Sequence, residues 1–185
     1  MNISPVRIQT KRLIIREFKT SDALDVNAYS KLPKTVRFLP WGPDHLSQTK
    51  NFIRRMIKTQ KEKPRVTYEF VLESKAEKKV IGACGLRIKS LFHQESDMGY
   101  ALHPDYWGQG YATEAAQALV NFGFKKLKLH RIWATCDVRN NASEKVLKKC
   151  GMRKEGRFRS HLRLHGKWRT SYLYAVLESD KKRKS

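Results

Sequence analysis

The stretch Tyr100-Ala-Leu-His-Pro-Asp-Tyr-Trp-Gly-Gln-Gly-Tyr-Ala-Thr-Glu-Ala115 decides the fold of this 185-residue chain. A β-rich run over residues 96–102 ends inside it, and an Ala-rich amphipathic run continues from it to about residue 126. The first N–H groups of a helix have no intrahelical acceptor and carry the positive end of the helix dipole, so they bind phosphate where glycines let it approach. Gly108 and Gly110 stand at that place. The stretch therefore predicts either a pyrophosphate-binding turn or a turn that needs glycine for its geometry alone.

Two common nucleotide loops do not fit this stretch. It lacks the G-x-x-x-x-G-K-[ST] pattern of a nucleotide-triphosphate loop. Its G-x-G is not followed by the third spaced glycine of the dinucleotide fingerprint. Both of those folds are disfavoured.

The rest of the chain predicts alternating strands and helices. We expect a strand over residues 7–18, helices over 23–29 and from about 47, a hairpin of 66–72 with 80–88, a strand at 131–138, a helix at 141–149, and strands at 157–164 and 168–177. No internal repeat and no long linker divides this order. The chain is therefore expected to be one α/β domain over residues 1–185, with a core of about 10–177 and a basic tail of 179–185.

Composition limits the classes of function. Lys and Arg number 39 against 17 Asp and Glu, a formal charge of +22 that favours an anionic partner or cofactor. With 40% hydrophobic residues the chain is expected to fold. No apolar run approaches the roughly 18 residues that cross a bilayer, so we expect a soluble, cytoplasmic protein without membrane contact.

Cysteine and histidine spacing predict no metal site. Cys84, Cys136 and Cys150 are an odd number without a C-x-x-C pair, which indicates buried, reduced thiols. His161 and His165 have a spacing that brings metal ligands together on a helix, but their segment predicts a strand and a turn.

A second segment, Val138-Arg-Asn-Asn-Ala-Ser-Glu-Lys-Val-Leu-Lys-Lys-Cys-Gly-Met152, follows a strand and opens a helix. Asn141 and Glu144 stand at the spacing of a capping box, so a purely local role accounts for them. Taken together, the two segments resemble the GCN5-related N-acetyltransferase (GNAT) superfamily. Residues 107–112 match its Q/R-x-x-G-x-G/A loop at Gly110 and Ala112, with Trp107 in place of the polar first residue, and residues 140–143 match its N-x-x-S segment.

Within the superfamily, the chain is most similar to enzymes that acetylate the N-termini of ribosomal proteins. Thr10-Lys-Arg-Leu-Ile-Ile-Arg-Glu17, Gly99-Tyr100 and His165-Gly-Lys-Trp168 stand in the expected order, and the resemblance covers residues 10 to about 177. It implies a mixed, mostly antiparallel central sheet flanked by helices, with a V-shaped split at the cofactor site. It also implies direct transfer of an acetyl group from acetyl-CoA to a primary amine, such as the N-terminus of a ribosomal protein.

The resemblance assigns roles to individual residues. It implies that backbone amides bind the pyrophosphate, that the end of a strand pairs with the pantetheine, and that Asn140 orients the cofactor chain. The amides are those of Gln109, Gly110, Tyr111, Ala112 and Thr113, and the strand end is Ala101 and Leu102. Ser143 is the implied acid for the departing thiolate, and no metal takes part.

The base that accepts the proton of the amine is left open among three candidates. Asp97 lies where histone-type members carry a strand glutamate, and strand alternation puts it on one face with Gly99 and Ala101. Some relatives carry a catalytic carboxylate at the position of Leu162, and Thr170 also replaces an acid common in relatives. His161, beside Leu162, or water is therefore the alternative base.

Three further questions stay open at this stage. The acceptor is a protein N-terminus or a small amine such as a polyamine or aminoglycoside, and the fold also permits a nonenzymatic RNA- or ribosome-binding protein. The basic run over residues 145–169 favours contact with ribosomal RNA or an acidic protein, or is a solvated surface. The sequence fits a monomer or a dimer.

Overall fold

The structure is a computed structural model that describes residues 5–182. Its strands are β1 (Arg7–Gln9), β2 (Leu13–Glu17), β3 (Thr67–Ser74), β4 (Val80–Ser90), β5 (Glu95–Leu102), β6 (Arg131–Asp137), β7 (Arg153–Leu164) and β8 (Lys167–Leu177). They form one sheet in the order β1-β2-β3-β4-β5-β6-β8-β7. Every neighbouring pair is antiparallel except β5 and β6. The predicted mixed, mostly antiparallel α/β sheet is confirmed.

Helices cover both faces of the sheet. They are α1 (Ala23–Ser30), α2 (Pro33–Val36), α3 (Leu46–Thr59), α4 (Tyr111–Lys125), α5 (Asn141–Lys149) and α6 (Glu178–Lys182). Neighbouring residues of β3 point to opposite sides: Val71 packs in a core with Val26 of α1 and Ile53 of α3, whereas Phe70 packs in a core with Leu119 of α4.

The sequence of α4 explains why this helix lies close to the sheet. Ala115, Ala116 and Leu119 are fully buried, and small side chains let the helix backbone approach the strands. At Gly123 an added Cβ would come within 2.7 Å of the Cδ1 atom of Ile132 on β6. The glycine is therefore needed for this close approach.

Three predicted boundaries were wrong. The single strand at 7–18 is a hairpin of β1 and β2, because Thr10 N–H donates to the Leu13 carbonyl (3.0 Å) and closes a turn. The second hairpin begins at Arg153 rather than at residue 157. The tail does not begin as a solvated end, since α6 occupies its first residues and Asp180 accepts a hydrogen bond from Leu177 N–H (3.0 Å). Residues 183–185 of the predicted tail lie outside the described part.

The parallel pair β5 and β6 positions the site. The two strands pair only over three residues of each, Glu95 to Asp97 of β5 and Arg131 to Trp133 of β6. Beyond these residues β5 continues along β4 and β6 continues along β8, so the two strands separate. This is the expected V-shaped split, and the glycine-containing loop follows the open end of β5.

Two further expectations concern membrane-spanning segments and the state of the cysteines. Within residues 5–182, no helix combines the length and the apolar character needed to span a membrane. Cys84, Cys136 and Cys150 are buried, free thiols, as the sequence predicts.

Candidate active site

A cavity of about 1120 Å³ opens where β5 and β6 separate. Strand alternation divides its lining into two sides. We call one side the glycine wall; it consists of Tyr100, Gly108, Gly110, Ala112, Thr113, Asn140 and Ser143. We call the other side the charged wall; it consists of Phe38, Arg87, Asp97, Thr135, Asp137, Arg139 and Arg169.

The glycine wall begins at the turn before α4. Gly110 is the N-cap of α4 with φ +84°, and Gly108 has φ +75°, a left-handed conformation that side chains with a Cβ rarely adopt. Both glycines are exposed, and a Cβ added at Gly108 would meet nothing within 4 Å. The backbone at the start of α4 is therefore open to an incoming anion, which fits the pyrophosphate of a coenzyme A group.

The hairpin of β1 and β2 braces this turn. Glu114 in the first turn of α4 accepts hydrogen bonds from the Thr10 hydroxyl (2.6 Å), from Arg12 N–H (2.7 Å) and from Arg12 Nε (2.7 Å). Burial raises the pKa of Glu114, but these bonds outweigh it and hold the pKa below its ordinary value. We did not anticipate this brace from the sequence, although an acid in the first turn of a predicted helix was a signal for it.

Two of the five predicted amide donors lie beside the brace. The Gln109 carbonyl accepts a bond from Arg12 Nη1 (2.8 Å), and the Tyr111 ring lies 4.1 Å from the Arg12 guanidinium. Gly110, Ala112 and Thr113 line the cavity itself. Pyrophosphate binding by all five amides stays a prediction.

Ser143 and Asn140 lie together at the start of α5. Asn140 is the N-cap, because its Oδ1 accepts from Ser143 N–H (3.1 Å). The expected capping box of Asn141 with Glu144 was therefore wrong, since Glu144 bonds to Tyr174 instead. The Ser143 hydroxyl lies 2.9 Å from the Tyr100 hydroxyl of β5.

The strand end of β5 also lines the cavity. The Leu102 carbonyl already accepts a hydrogen bond from the indole N–H of Trp107 (2.9 Å). Ala101 lines the cavity beside it. Trp107, which departs from the family pattern, thus has a structural role in fixing the loop to β5.

Asp97 lies at the split and is held by two cations. Arg87 Nε donates to one carboxylate oxygen (3.0 Å), Arg87 Nη2 donates to the other (3.1 Å), and Lys89 Nζ lies 3.6 Å away. Arg87 Nη1 also bonds to Glu69 (2.8 Å), and burial raises the pKa of Glu69. This cluster was missed, because its members face one another only through the register of β3, β4 and β5.

His161 lies on β7 at the rim of the charged wall. Its Nε2 is 2.9 Å from the hydroxyl of buried Ser171. Burial and the nearby charge of Arg169 lower the pKa of His161 below its ordinary value. The ring is therefore neutral at pH 7, with one nitrogen engaged by Ser171. Thr170, where relatives carry an acid, accepts a bond from Ser160 N–H (3.1 Å).

The far end of the charged wall holds a second carboxylate and a buried guanidinium. Asp137 accepts bonds from Arg139 N–H (2.9 Å), Nε (2.9 Å) and Nη2 (2.8 Å), and these bonds lower its pKa. Arg169 is buried and donates to the carbonyls of Phe38 and Thr135, each at 3.2 Å.

Comparison with known proteins agrees with this geometry. The family profile described as an acetyltransferase (GNAT) domain matches residues 12–153. The chain belongs to the GNAT acetyltransferase family. Bacillus subtilis YnaD, an uncharacterised N-acetyltransferase, is 35% identical over 175 residues, covering 95% of this chain and 99% of its own.

Two further relatives extend the match. The ribosomal protein uS5-alanine N-acetyltransferase of Escherichia coli is 27% identical over 186 residues, covering 97% of this chain and 94% of its own. A crystal structure of a GNAT-family acetyltransferase from Bacillus anthracis superposes with a TM-score of 0.83 at 32% identity, covering 94% of this chain and 99% of that one.

The chain is thus an acetyl-CoA-dependent N-acetyltransferase, and its cavity is suited to that cosubstrate. The glycine wall offers an open helix N-terminus for the anionic part. The split between β5 and β6 offers the edge of a strand for the amide-bearing arm. Among residues 5–182, no group of three or more His, Cys, Asp or Glu side chains could hold a metal ion.

Proposed function

We propose that this enzyme acetylates the α-amino group of a protein N-terminus, such as that of a ribosomal protein, in the cytoplasm. The observation that carries the proposal is the charge of the cavity. Asp97 and Asp137, the two carboxylates among the described residues that line it, are both already paired with arginines. A polyamine carries several ammonium groups and requires carboxylates that are free to bind them. A peptide N-terminus needs room for one amine and a polar backbone.

The reaction is a direct attack. The amine nitrogen forms a bond to the carbonyl carbon of the acetyl thioester, the carbon–sulfur bond breaks, and the sulfur leaves as coenzyme A thiolate. The nitrogen loses one proton and the sulfur gains one, which gives an amide and a free thiol. Acetyl-CoA supplies the activated acetyl group, and the residues of the chain must bind it, accept one proton and donate another.

Asp97 is the proposed proton acceptor. It stands at the split, between the strand end that leads to the glycine wall and the rest of the charged wall. Its ion pair with Arg87 fixes the carboxylate in place, and a water molecule is expected to relay the proton where the amine is not in direct reach. His161 is the weaker candidate, because Ser171 already occupies its Nε2.

Ser143 is the proposed proton donor to the sulfur. For this, the Tyr100 hydroxyl must donate to Ser143 Oγ, which leaves the hydrogen of Ser143 free for the leaving group. Burial raises the pKa of Tyr100, so the phenol stays protonated and able to donate. A thiol has a pKa near 8.5 and leaves readily, so we expect the contribution of Ser143 to be modest.

A panel of acceptors tests the proposal. The purified full chain is mixed with acetyl-CoA and with alanine-led peptides, spermidine or an aminoglycoside, and thiol release is followed. We expect kcat/KM for at least one peptide to exceed that for spermidine by more than about 10-fold, and mass spectrometry to place the acetyl group on the α-amine. Preference for spermidine or the aminoglycoside would overturn the assignment of a protein N-terminus.

A further inference from the structure

Arg169 of β8 is a buried charged group of the cavity lining with one unpartnered guanidinium nitrogen. The residue is 7% exposed, and its two Nη atoms donate to the backbone carbonyls of Phe38 and Thr135. Its Nε has no hydrogen-bond partner. Thr35 of α2, also buried and also lining the cavity, has an unpartnered hydroxyl oxygen. Buried polar atoms without partners are uncommon in folded proteins, and two of them line one cavity here.

No carboxylate compensates the charge of Arg169. Within residues 5–182 no carboxylate oxygen lies within ion-pair distance of its guanidinium, and Asp137, which is near enough to act on its pKa, is bound by Arg139. Burial lowers the pKa of Arg169. An unpaired buried charge is unfavourable. An unpaired buried cation in the lining of a cavity therefore indicates a binding site for an anion.

The position of Arg169 indicates the acceptor rather than the cosubstrate as the source of that anion. Thr135 and Asp137 of β6 alternate on one face, and Asp137 is in register with Ser171 of β8, two residues from Arg169. Asp97 shares this face through its register with Trp133. Ser143 and the start of α4, where the coenzyme is expected, lie on the other side. Arg169 is thus on the same wall as the proposed base.

We propose that Arg169, together with Thr35, binds a carboxylate that the acceptor carries close to its amine. This inference rests on the proposed function and narrows its substrate class. A guanidinium pairs with a carboxylate through two parallel hydrogen bonds, which suits one anionic group at a fixed distance from the amine.

Two kinds of molecule carry that chemistry. One is a peptide with an acidic side chain next to its N-terminal residue. The other is a free amino acid, whose own α-carboxylate lies beside the amine. A panel that separates them contains alanine-led peptides with Asp, Asn or Lys at the second position, together with free alanine, alaninamide and spermidine.

The wild-type chain is expected to prefer the Asp peptide over the Asn peptide, or alanine over alaninamide, by about 10-fold or more in kcat/KM, the size typical of a hydrogen bond to a charged group. In Arg169→Gln this preference disappears, because KM for the acidic acceptor rises to that for the Asn peptide measured in the same variant, while the affinity for coenzyme A is expected to stay at its wild-type value. Arg169→Lys retains the charge but cannot form two parallel hydrogen bonds to one carboxylate. We expect it to keep part of the preference for the acidic acceptor.

A control separates recognition from simple bracing of the Phe38 segment. His165 at the turn of β7 and β8 holds the same segment, with Nε2 3.2 Å from the Leu39 carbonyl and 3.3 Å from the Val36 carbonyl. His165→Ala removes that brace and leaves the charge of Arg169. It is expected to keep the preference for the acidic acceptor. If His165→Ala loses it as fully as Arg169→Gln does, Arg169 is a brace and the proposal is wrong.

The remaining outcomes are equally distinct. Acetylation of the three peptides at equal rates overturns the role of Arg169 and leaves the proposed function standing. Turnover of free alanine but of no peptide supports Arg169 and overturns the protein N-terminus as acceptor. A preference for spermidine overturns both. Weaker binding of coenzyme A by Arg169→Gln assigns the residue to the cosubstrate and also overturns the proposal.

Discussion

The glycine wall and the charged wall of the cavity are assembled in different ways. The glycine wall comes from two continuous stretches of chain, residues 100–113 and 140–143, and it offers backbone groups and short side chains. The charged wall takes its members from β4, β5, β6, β8 and the segments after α2 and β6, and its two carboxylates are already paired with arginines. The glycine wall is specified by local sequence, whereas the Arg87–Asp97 pair of the charged wall is specified by strand register.

Removing the carboxylate of Asp97 is expected to have the largest effect on the charged wall. General bases typically contribute on the order of 10² to 10⁴ in rate, so Asp97→Asn is expected to lower kcat by that factor while the affinity for coenzyme A changes little. Steady-state kinetics across the pH range and calorimetric titration with coenzyme A measure the two quantities. Full turnover by Asp97→Asn at every pH would transfer the role to His161 or to water.

Glu69→Gln provides a matched control for that experiment. It removes the other carboxylate bound to Arg87, and so disturbs the same ion cluster to a similar extent. Glu69 is not among the described residues that line the cavity. We expect kcat of Glu69→Gln to stay far closer to wild type than that of Asp97→Asn. Equal losses in both variants would indicate that the cluster matters as a structural unit only.

The corresponding change on the glycine wall is Gly110→Val. A β-branched residue at φ +84° carries about 1–3 kcal/mol of backbone strain and places a side chain where the pyrophosphate is expected. Affinity for coenzyme A is expected to fall by roughly 10- to 100-fold or more. Gly151→Val at the end of α5, with φ +81° and open space around it, carries similar strain away from the loop and is expected to bind normally. Unchanged affinity in folded Gly110→Val would remove the proposed phosphate site.

The contrast between the walls explains what the sequence could predict. The glycine turn, the N-x-x-S segment and the strand that ends between them lie within short stretches, so their residue types and spacing are informative. The mixed, mostly antiparallel sheet with a V-shaped split at the cofactor site followed from the family resemblance, whereas the order of the eight strands and the place of the split after Asp97 are findings of the structure. The hairpin of β1 and β2 was missed because Thr10-Lys-Arg12 was not recognised as a turn.

The sequence could not predict the partners of the charged side chains. Arg87 and Asp97 are ten residues apart and pair only because β4 and β5 align them in register. Arg169 reaches the Phe38 carbonyl over 131 positions of chain. The composition shows an excess of Arg and Lys, but packing determines which of these side chains forms an ion pair with which carboxylate. Asp97 lines the cavity, but the ion pair that constrains it was not predicted.

Ser143→Ala is expected to have a smaller effect than the changes above. Because a thiolate leaves readily, loss of its proton donor is expected to lower kcat by less than about 100-fold, at the low end for an acid catalyst. Tyr100→Phe removes the hydroxyl that lies 2.9 Å from the Ser143 hydroxyl and is expected to act in the same direction. If the double variant is no slower than either single variant, the two hydroxyls act as one unit. A wild-type kcat in Ser143→Ala would exclude it as the donor.

The pH dependence of stability tests the state of His161. Its pKa is lowered in the fold by burial and by Arg169, so near pH 6.5 the folded chain binds fewer protons than the unfolded one. Stability is therefore lost as the pH falls from about 6.5 through the lowered pKa. The melting temperature of His161→Gln is expected to depend less on pH in this window than that of wild type. Its kcat is expected to change by far less than the roughly 100-fold typical of a lost general base.

The smallest expected effect concerns the surface charge and recognition of an intact partner. The exposed side chains of β7 include Arg157 and Arg159, on either side of Phe158, which lines the cavity, and α3 exposes Arg54 and Arg55 on another part of the surface. If the partner is an acidic protein or ribosomal RNA, the β7 face is expected to speed encounter by a few-fold, and at most about 10-fold. Salt reduces this acceleration of encounter, since the Debye length falls from about 10 Å at 0.1 M to about 3 Å at 1 M.

Two double variants of equal charge test that contribution. Arg157→Ser with Arg159→Ser is expected to lower kcat/KM for an intact protein substrate at low salt, and to leave kcat/KM for a short peptide with the same N-terminus unchanged. Arg54→Ser with Arg55→Ser removes the same charge from α3 and is expected to affect neither substrate. Because the net charge of the two variants is equal, a difference between them can come only from where the charge is placed. Equal kcat/KM for peptide and protein in wild type, independent of salt, would show that the charge of +22 plays no part in choosing the acceptor.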